Sequence, residues 1–267
     1  MLQIKNTLGG GKPEGLYVWK KYFYFDPAVD AVSWTSGTDK EIVKMVQLAD
    51  NGLINLSDYW SVGDERQVTL SRIGATELEP PFAEQTVTFV LMNVGGKTLA
   101  NATPSGRTEC SFIVGMKNGL AEKRMMDHTS TVWDSCVRRT WCNGLFRNAI
   151  PATLRDIFKQ HLNITADGPN STTVTSTDYF ALPAEKEVFG SNIRADSTAE
   201  ASLTQFEYYA TEANRIKKTG DSGSANRWWE RSPDSSAANI ICRVNSDGSS
   251  GGYLASNSSL LAPFGVI

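Results

Sequence analysis

Two histidines, four cysteines and a scatter of carboxylates are the side chains through which this 267-residue chain would carry out chemistry. His128 and His161 stand in no HExxH arrangement and beside no serine or cysteine nucleophile motif, and GxSxG is absent. His161 is expected late in a helix, where an imidazolium sits well on the carbonyl end of the dipole. Cys110, Cys136, Cys142 and Cys242 are too few and too scattered for a disulfide framework. The step from Cys136 to Cys142 fits neither a CxxC redox pair nor a zinc knuckle, so buried free thiols are expected. Glu185 and Glu187, two apart in what reads as an extended stretch, point the same way without forming a dyad. The carboxylates read as solvated surface. The two members of a glycosidase pair need not be near in sequence, so spacing alone does not rule that chemistry out. No catalytic residue, no metal ligand and no cofactor is assigned.

The elements that must position any site come from patterning. Hydrophobic residues make up 40% and charged residues 21%, with a net charge of -3 and both signs interspersed, which leaves no electrostatic footprint for nucleic acid. No apolar run reaches membrane-spanning length, and the start "MLQIKNTLGGGKPEG" lacks the basic-then-apolar layout of a secretory signal. A soluble protein made in a cytoplasm, with no membrane insertion, is expected. The glycines of "NTLGGGKPEG" read as a linker, since no strand precedes them and no GK[ST] follows. "LYVWKKYFYF" alternates as a strand would. A helix is expected over 38–52, capped by Thr38 or Asp39 and ended by Gly52. Strands are expected over 66–73, 86–94 and 108–116, the middle one buried on both faces. Two successive helices follow, 130–146 capped by Ser130, with Trp133, Val137 and Trp141 on one face, and 151–162 with Pro151 in the first turn. A polar loop or hairpin comes next, then a helix over 202–218. The class is α+β, mixed helices and short antiparallel strands.

The C-terminal stretch "NRWWERSPDSSAANIICRVNSDGSSGGYLASNSSLLAPFGVI" has core-seeking ends and a Ser/Gly/Asn-rich middle. Trp228 and Trp229 would open a strand with side chains on opposite faces, at least one of them in the core. Arg231 is suited to a buried carboxylate or carbonyl fork, and Pro233 stops the strand. "NSDG" is a turn signal after "IICRV", and "APFGVI" returns the chain to the core as a last strand. A rigid sheet would thus display side chains that contribute little to folding.

The ordered series "STVWDSCVRRTWCNGLFRNAIP", "YFALPAEKEVFG", "FEYYATEANRIKKTGDSGSANRWWERSP", "CRVNSDGS" and "APFGVI" resembles an uncharacterised domain family common in gut-type Firmicutes and their phages. The resemblance runs from about Asp39 to the C-terminus. It implies a C-type-lectin-like fold, near the formylglycine-generating-enzyme branch, over residues 39–267. Residues 1–38 then form a leader or attachment segment, and "GKPEGLYVWKKY" is similar to segments of phage tail and baseplate proteins. The chain is also similar to the variable proteins of diversity-generating retroelements, in which AAC codons become NNC and so encode no Lys, Glu, Gln, Met or Trp. From Asp234 to Leu261 none of these five residues occurs. Leu260 and Leu261 depart from the Gly-Val usual at that place.

The resemblance implies a phage or prophage receptor-binding adhesin, in the virion after synthesis in the host. Its display surface would be 226–261 and its ligand a bacterial surface glycan or protein. Tail or baseplate components would be its other partners, and a homo-oligomer is compatible with that reading. The ligand-facing residues are expected to be Arg227, Asp234, Ser235, Ser236, Asn239, Ile240, Arg243, Ser249, Ser250, Tyr253, Ser256, Ser258 and Leu260, with Tyr253 and Arg243 as anchors because Tyr and Arg are enriched at hot spots. No EPN-like triplet or "WND"-like strand is present, so no calcium requirement is expected. The rival class is an enzyme, either an oxidase needing two close cysteines (Cys242 with Cys136 or Cys142) or a glycan hydrolase; a purely structural tail component is the third.

Overall fold

The computed structural model describes residues 30–75, 80–169 and 171–267; the strand expected at 16–25 and the glycine-rich leader lie outside them. Helix α1 (Asp39–Asp50) forms where expected, and its start is a capping box. Thr38 Oγ1 accepts from the Glu41 amide and Glu41 accepts from the Thr38 amide. Ile42, Met45, Val46 and Ala49 place its buried stripe on the core.

The main sheet has the order β1–β2–β3–β14–β7, all neighbours antiparallel. Its strands are β1 (Glu65–Leu70), β2 (Gln85–Val94), β3 (Phe112–Met116), β7 (Phe180–Ala181) and the terminal β14 (Phe264–Val266). β2 is buried on both faces through its middle, as its unbroken apolar run requires. β14 enters the middle of this sheet, so "APFGVI" closes the fold. Smaller antiparallel pairs surround it: β4 (Arg124–Met125) with β13 (Ser258–Ser259), β5 (His161–Ala166) with β6 (Thr173–Asp178), and β8 (Lys217–Lys218) with β9 (Ala225–Asn226). A three-stranded sheet of β10 (Trp228–Pro233), β11 (Ile240–Val244) and β12 (Ser250–Leu254) carries the C-terminal segment. The molecule is α+β with several small antiparallel sheets.

Several expectations give way to tertiary contacts. The helix expected over 130–146 is a 3-10 turn at Trp133–Ser135, a short α2 (Val137–Trp141), a π turn at Cys142–Phe146 and α3 (Arg147–Ala149). Asp127 accepts from the amides of Thr129, Ser130 and Val137, which fixes the approach to α2, so the Cys136 sulfur caps the helix instead of Ser130. The helix expected at 151–162 is reduced to α4 (Ala152–Arg155), and the polar segment after it is the β5–β6 hairpin. His161 therefore begins a strand, wholly buried, and burial pushes its imidazole down to about 3. The helix expected over 202–218 is replaced by 3-10 turns at Glu207–Ala210 and Glu212–Arg215. There the Phe206 amide donates to Glu187 O at 2.8 Å and the Glu207 amide to Asn93 Oδ1 at 2.9 Å, backbone groups that helix formation would need.

Candidate functional site

β10 is the wall on which the C-terminal segment stands. All six of its residues are buried, and the two tryptophans face opposite ways. Trp228 stacks on Tyr209 at 5.9 Å, whereas Trp229 lies 6.4 Å from Tyr253 and donates from Nε1 to Arg124 O. Arg231 does what its guanidinium fork is suited to. Nη1 and Nη2 donate to the two oxygens of Glu187 at 2.6 and 3.0 Å, and the other donors reach Leu182 O, Ile164 O and Thr165 Oγ1. Lys97 closes the network on Glu187 from the other side and also donates to Asn163 Oδ1. Burial alone would raise the Glu187 carboxyl; Arg231 and Lys97 outweigh it and hold it at about 2.

The buried carboxylates correct the expectation of a solvated acidic surface. Glu185 and Glu187 lie not in an extended stretch but in helix α5 (Glu185–Phe189), and both are buried together with Glu200 and Glu230. Glu185 Oε2 accepts from the amides of Ile193, Arg194 and Ala195, each at 2.8 Å, and Oε1 accepts from Ser250 Oγ at 2.6 Å. Neither oxygen of Glu230 has a hydrogen-bond partner among the described residues. Burial, with Glu185 and Glu200 nearby, pushes the Glu230 carboxyl far above the usual carboxylate range. Ligand atoms of Glu185, Glu230 and Cys242 lie within 4.8 Å of one another, although the sequence assigned no metal ligands.

Glu200 accepts from Ser232 Oγ at 2.7 Å, yet burial raises its carboxyl to about 7. A raised folded value makes this group's contribution greatest below the ordinary value of 4.5 and lost as the pH climbs through about 7. Glu200→Gln should therefore gain stability relative to the parent as the pH rises from 4.5 to 7.5. Thermal unfolding of both proteins at the two pH values checks this, and a constant difference would refute it.

The expected ligand-facing residues divide between surface and interior. Arg227, Ser235, Ser236, Asn239, Ser249, Ser256 and Ser258 are exposed, and Ile240, Ser250 and Tyr253 are half-buried. Leu260 is not on the surface: it is 0% exposed and sits against Gly119, where a Cβ would come within 2.6 Å of it. Asp234 is also buried, gripped by Arg194 Nε and Nη2 at 2.7 and 2.6 Å, and it accepts from the Ser236 amide and hydroxyl. Ser250 is held by Glu185, so it is not a free display position. Ser249 and Asp247 shape the Asn245–Gly248 turn, in which Gly248 adopts φ +87°.

Arg243 is 8% exposed and lies 4.1 Å from the Tyr253 ring centroid, with Nε and Nη1 unpartnered. Burial, then Arg227 and Arg194, push its guanidinium value down, so Arg243 is close enough to both to feel their charge. Sequence reasoning missed Arg194, whose signal would have been its position just after the α5 motif, and Leu254, 41% exposed beside Ile240 across the β11–β12 ladder.

The reactive alternatives are also placed. All four cysteines are free and buried, and burial pushes the Cys110 and Cys136 thiols up to about 11 and 12. A groove of about 350 Å³ opens on Lys97 and Glu187, whose charges already neutralise one another. No helix among the described residues is long and apolar enough to cross a membrane.

No curated protein and no solved structure matches the chain. A family described as "Domain of unknown function (DUF6273)" matches residues 112–262, from the start of β3 to the approach of β14, and takes in Glu187, Arg231 and the C-terminal surface but not Lys97. The chain belongs to that family.

Proposed function

We propose that this protein is a non-enzymatic receptor-binding adhesin of a phage or prophage tail, with a C-type-lectin-like fold and a bacterial surface ligand. The observation that carries the reading is the division within one segment. β10 and Leu260 are wholly buried, while the exposed residues of 235–258 stand on the solvent side of that wall. The ligand contact is centred on Tyr253 and Arg243, with Arg227 and Arg194 at its rim and Ile240 and Leu254 as its apolar part. The Arg243 guanidinium lies 4.1 Å from the Tyr253 ring centroid, and a cation beside an aromatic face suits an anionic, ring-bearing ligand, such as an acidic surface glycan. The absence of Lys, Glu, Gln, Met and Trp from 234–261 supports variation of this surface by a retroelement. Residues 1–38 serve as the attachment segment to tail or baseplate components.

The test is binding of the purified chain to anionic and neutral bacterial surface glycans. Tyr253→Ala and Arg243→Ala should each weaken binding to the anionic ligand by at least about 10-fold, as hot-spot truncations do. Ser256→Ala, a neutral exposed change, should not weaken it. Turnover of the glycan, abolished by a single Glu or Asp substitution, would replace the adhesin with a hydrolase. Unchanged host range after grafting a different 234–261 segment would make the protein a structural tail component. The diversification reading fails if the gene has no adjacent near-repeat and reverse transcriptase.

A further inference from the structure

We infer that Glu185, Glu230 and Cys242 form a binding site for a divalent transition-metal ion of the zinc class. The three residues come from α5, β10 and β11, and they converge beneath the half-exposed Ser250 on the neighbouring strand β12. One ligand atom from each lies within 4.8 Å of the other two, close enough for small side-chain adjustments to bring all three onto one ion.

Three independent features of the cluster point to a cation. Glu230 is fully buried and both of its oxygens are unpartnered among the described residues. Protonation does not resolve this, because a neutral carboxyl would still leave an O–H without an acceptor and a carbonyl oxygen without a donor. Glu185 is fixed in place by three backbone amides and the Ser250 hydroxyl, the kind of outer support that holds a metal ligand in orientation. Cys242 donates one weak hydrogen bond, 3.7 Å from its sulfur to Pro233 O, which a metal ion would replace at little cost. Gly252 pairs with Cys242 across the β11–β12 ladder, and the space a Cβ would take there is filled by the Arg194 guanidinium and the Ile240 side chain.

The donor set selects the ion. One thiolate with two carboxylates suits zinc or cobalt, whereas calcium and magnesium prefer oxygen alone. The thiol proton leaves as the ion binds, and Ser250 Oγ, 2.6 Å from Glu185 Oε1, supports that carboxylate from outside the ligand set. The ion would tie α5 to the sheet directly below the proposed ligand surface. The inference does not depend on what that surface binds.

The experiment uses the full chain, stripped with chelator and dialysed against zinc, then cobalt, then calcium, with bound metal measured after removal of the excess. One zinc retained per chain is expected, and the cobalt form should show a thiolate-to-metal charge-transfer band. Glu230→Gln and Cys242→Ser should each weaken zinc binding by at least about 100-fold, since even outer partners of metal ligands are worth roughly 10–100-fold. Circular dichroism identifies any variant that fails to fold; Glu230→Gln keeps the size and polarity of the side chain, and its result then decides. Failure of the parent to retain zinc, unchanged binding by a folded Glu230→Gln, or equal retention of calcium would each overturn the site.

Discussion

Glu187→Ala should destabilise the protein by about 3–5 kcal/mol in urea unfolding, the range for removing one partner of a buried ion pair. Arg231 and Lys97 both point at this carboxylate, at 0% and 5% exposure, so its loss leaves two interior cations without the counter-charge they are bonded to, Asp178 and Glu200 acting on Arg231 only through space. The Ala184 amide, which donates to Glu187 Oε2 at 2.8 Å, also loses its acceptor at the start of α5. The pH dependence provides a second reading. With its folded value depressed to about 2 from 4.5, the contribution of Glu187 is fully present above 4.5 and is lost as the pH falls through about 2. A replacement of Lys97, Glu187 and Arg231 together by apolar residues of similar volume should cost far less than Glu187→Ala alone, because no charge is then stranded. A loss below about 1 kcal/mol for Glu187→Ala would mean that the cations find other partners.

Trp228→Ala should cost about 3–5 kcal/mol, as a fully buried aromatic truncation. At roughly 2–4 °C per kcal/mol for a domain of this size, the melting temperature should fall by about 6–20 °C. The side chain is wholly buried and stacked on Tyr209 at 5.9 Å, its Nε1 donates to Arg215 O at 2.8 Å, and Lys217 Nζ lies 5.0 Å from its ring. Truncation thus removes a stacking partner, a hydrogen-bond donor and one of the two aromatic faces beside a buried ammonium. Ser256→Tyr, on the exposed side of the same segment, should stay within about 0.5 kcal/mol of the parent. A reversed order of the two melting temperatures would abolish the division between wall and surface on which the proposed adhesin rests. Ser250 is unsuitable as the neutral comparison, because its hydroxyl supports the buried Glu185.

Where sequence alone sufficed, the signal was local. Thr38 and Glu41 lie three residues apart and cap α1 without help from the rest of the chain. The apolar run of β2, the Asn245–Gly248 turn and the "APFGVI" return were legible for the same reason: alternation, run length and turn chemistry act within a few residues. The suitability of Arg231 for a buried fork was readable from its chemistry, although its partner was not. Tertiary structure decided everything that required distant segments to meet. Phe206, Tyr208 and Tyr209 carry helical spacing, but the Phe206 edge on Phe264 keeps Phe206 extended and the Tyr209 stack on Trp228 accompanies a 3-10 turn at Glu207–Ala210. Glu185, Glu200 and Glu230 look like surface carboxylates in any window of the sequence, because nothing within a few residues shows that β10, β11 and α5 enclose them. Leu260 and Asp234 fall within a polar stretch, yet Gly119 and Arg194 draw them inward. Burial is a property of the whole packed chain, and the charges that chain encloses are the part of this protein its sequence alone could not reveal.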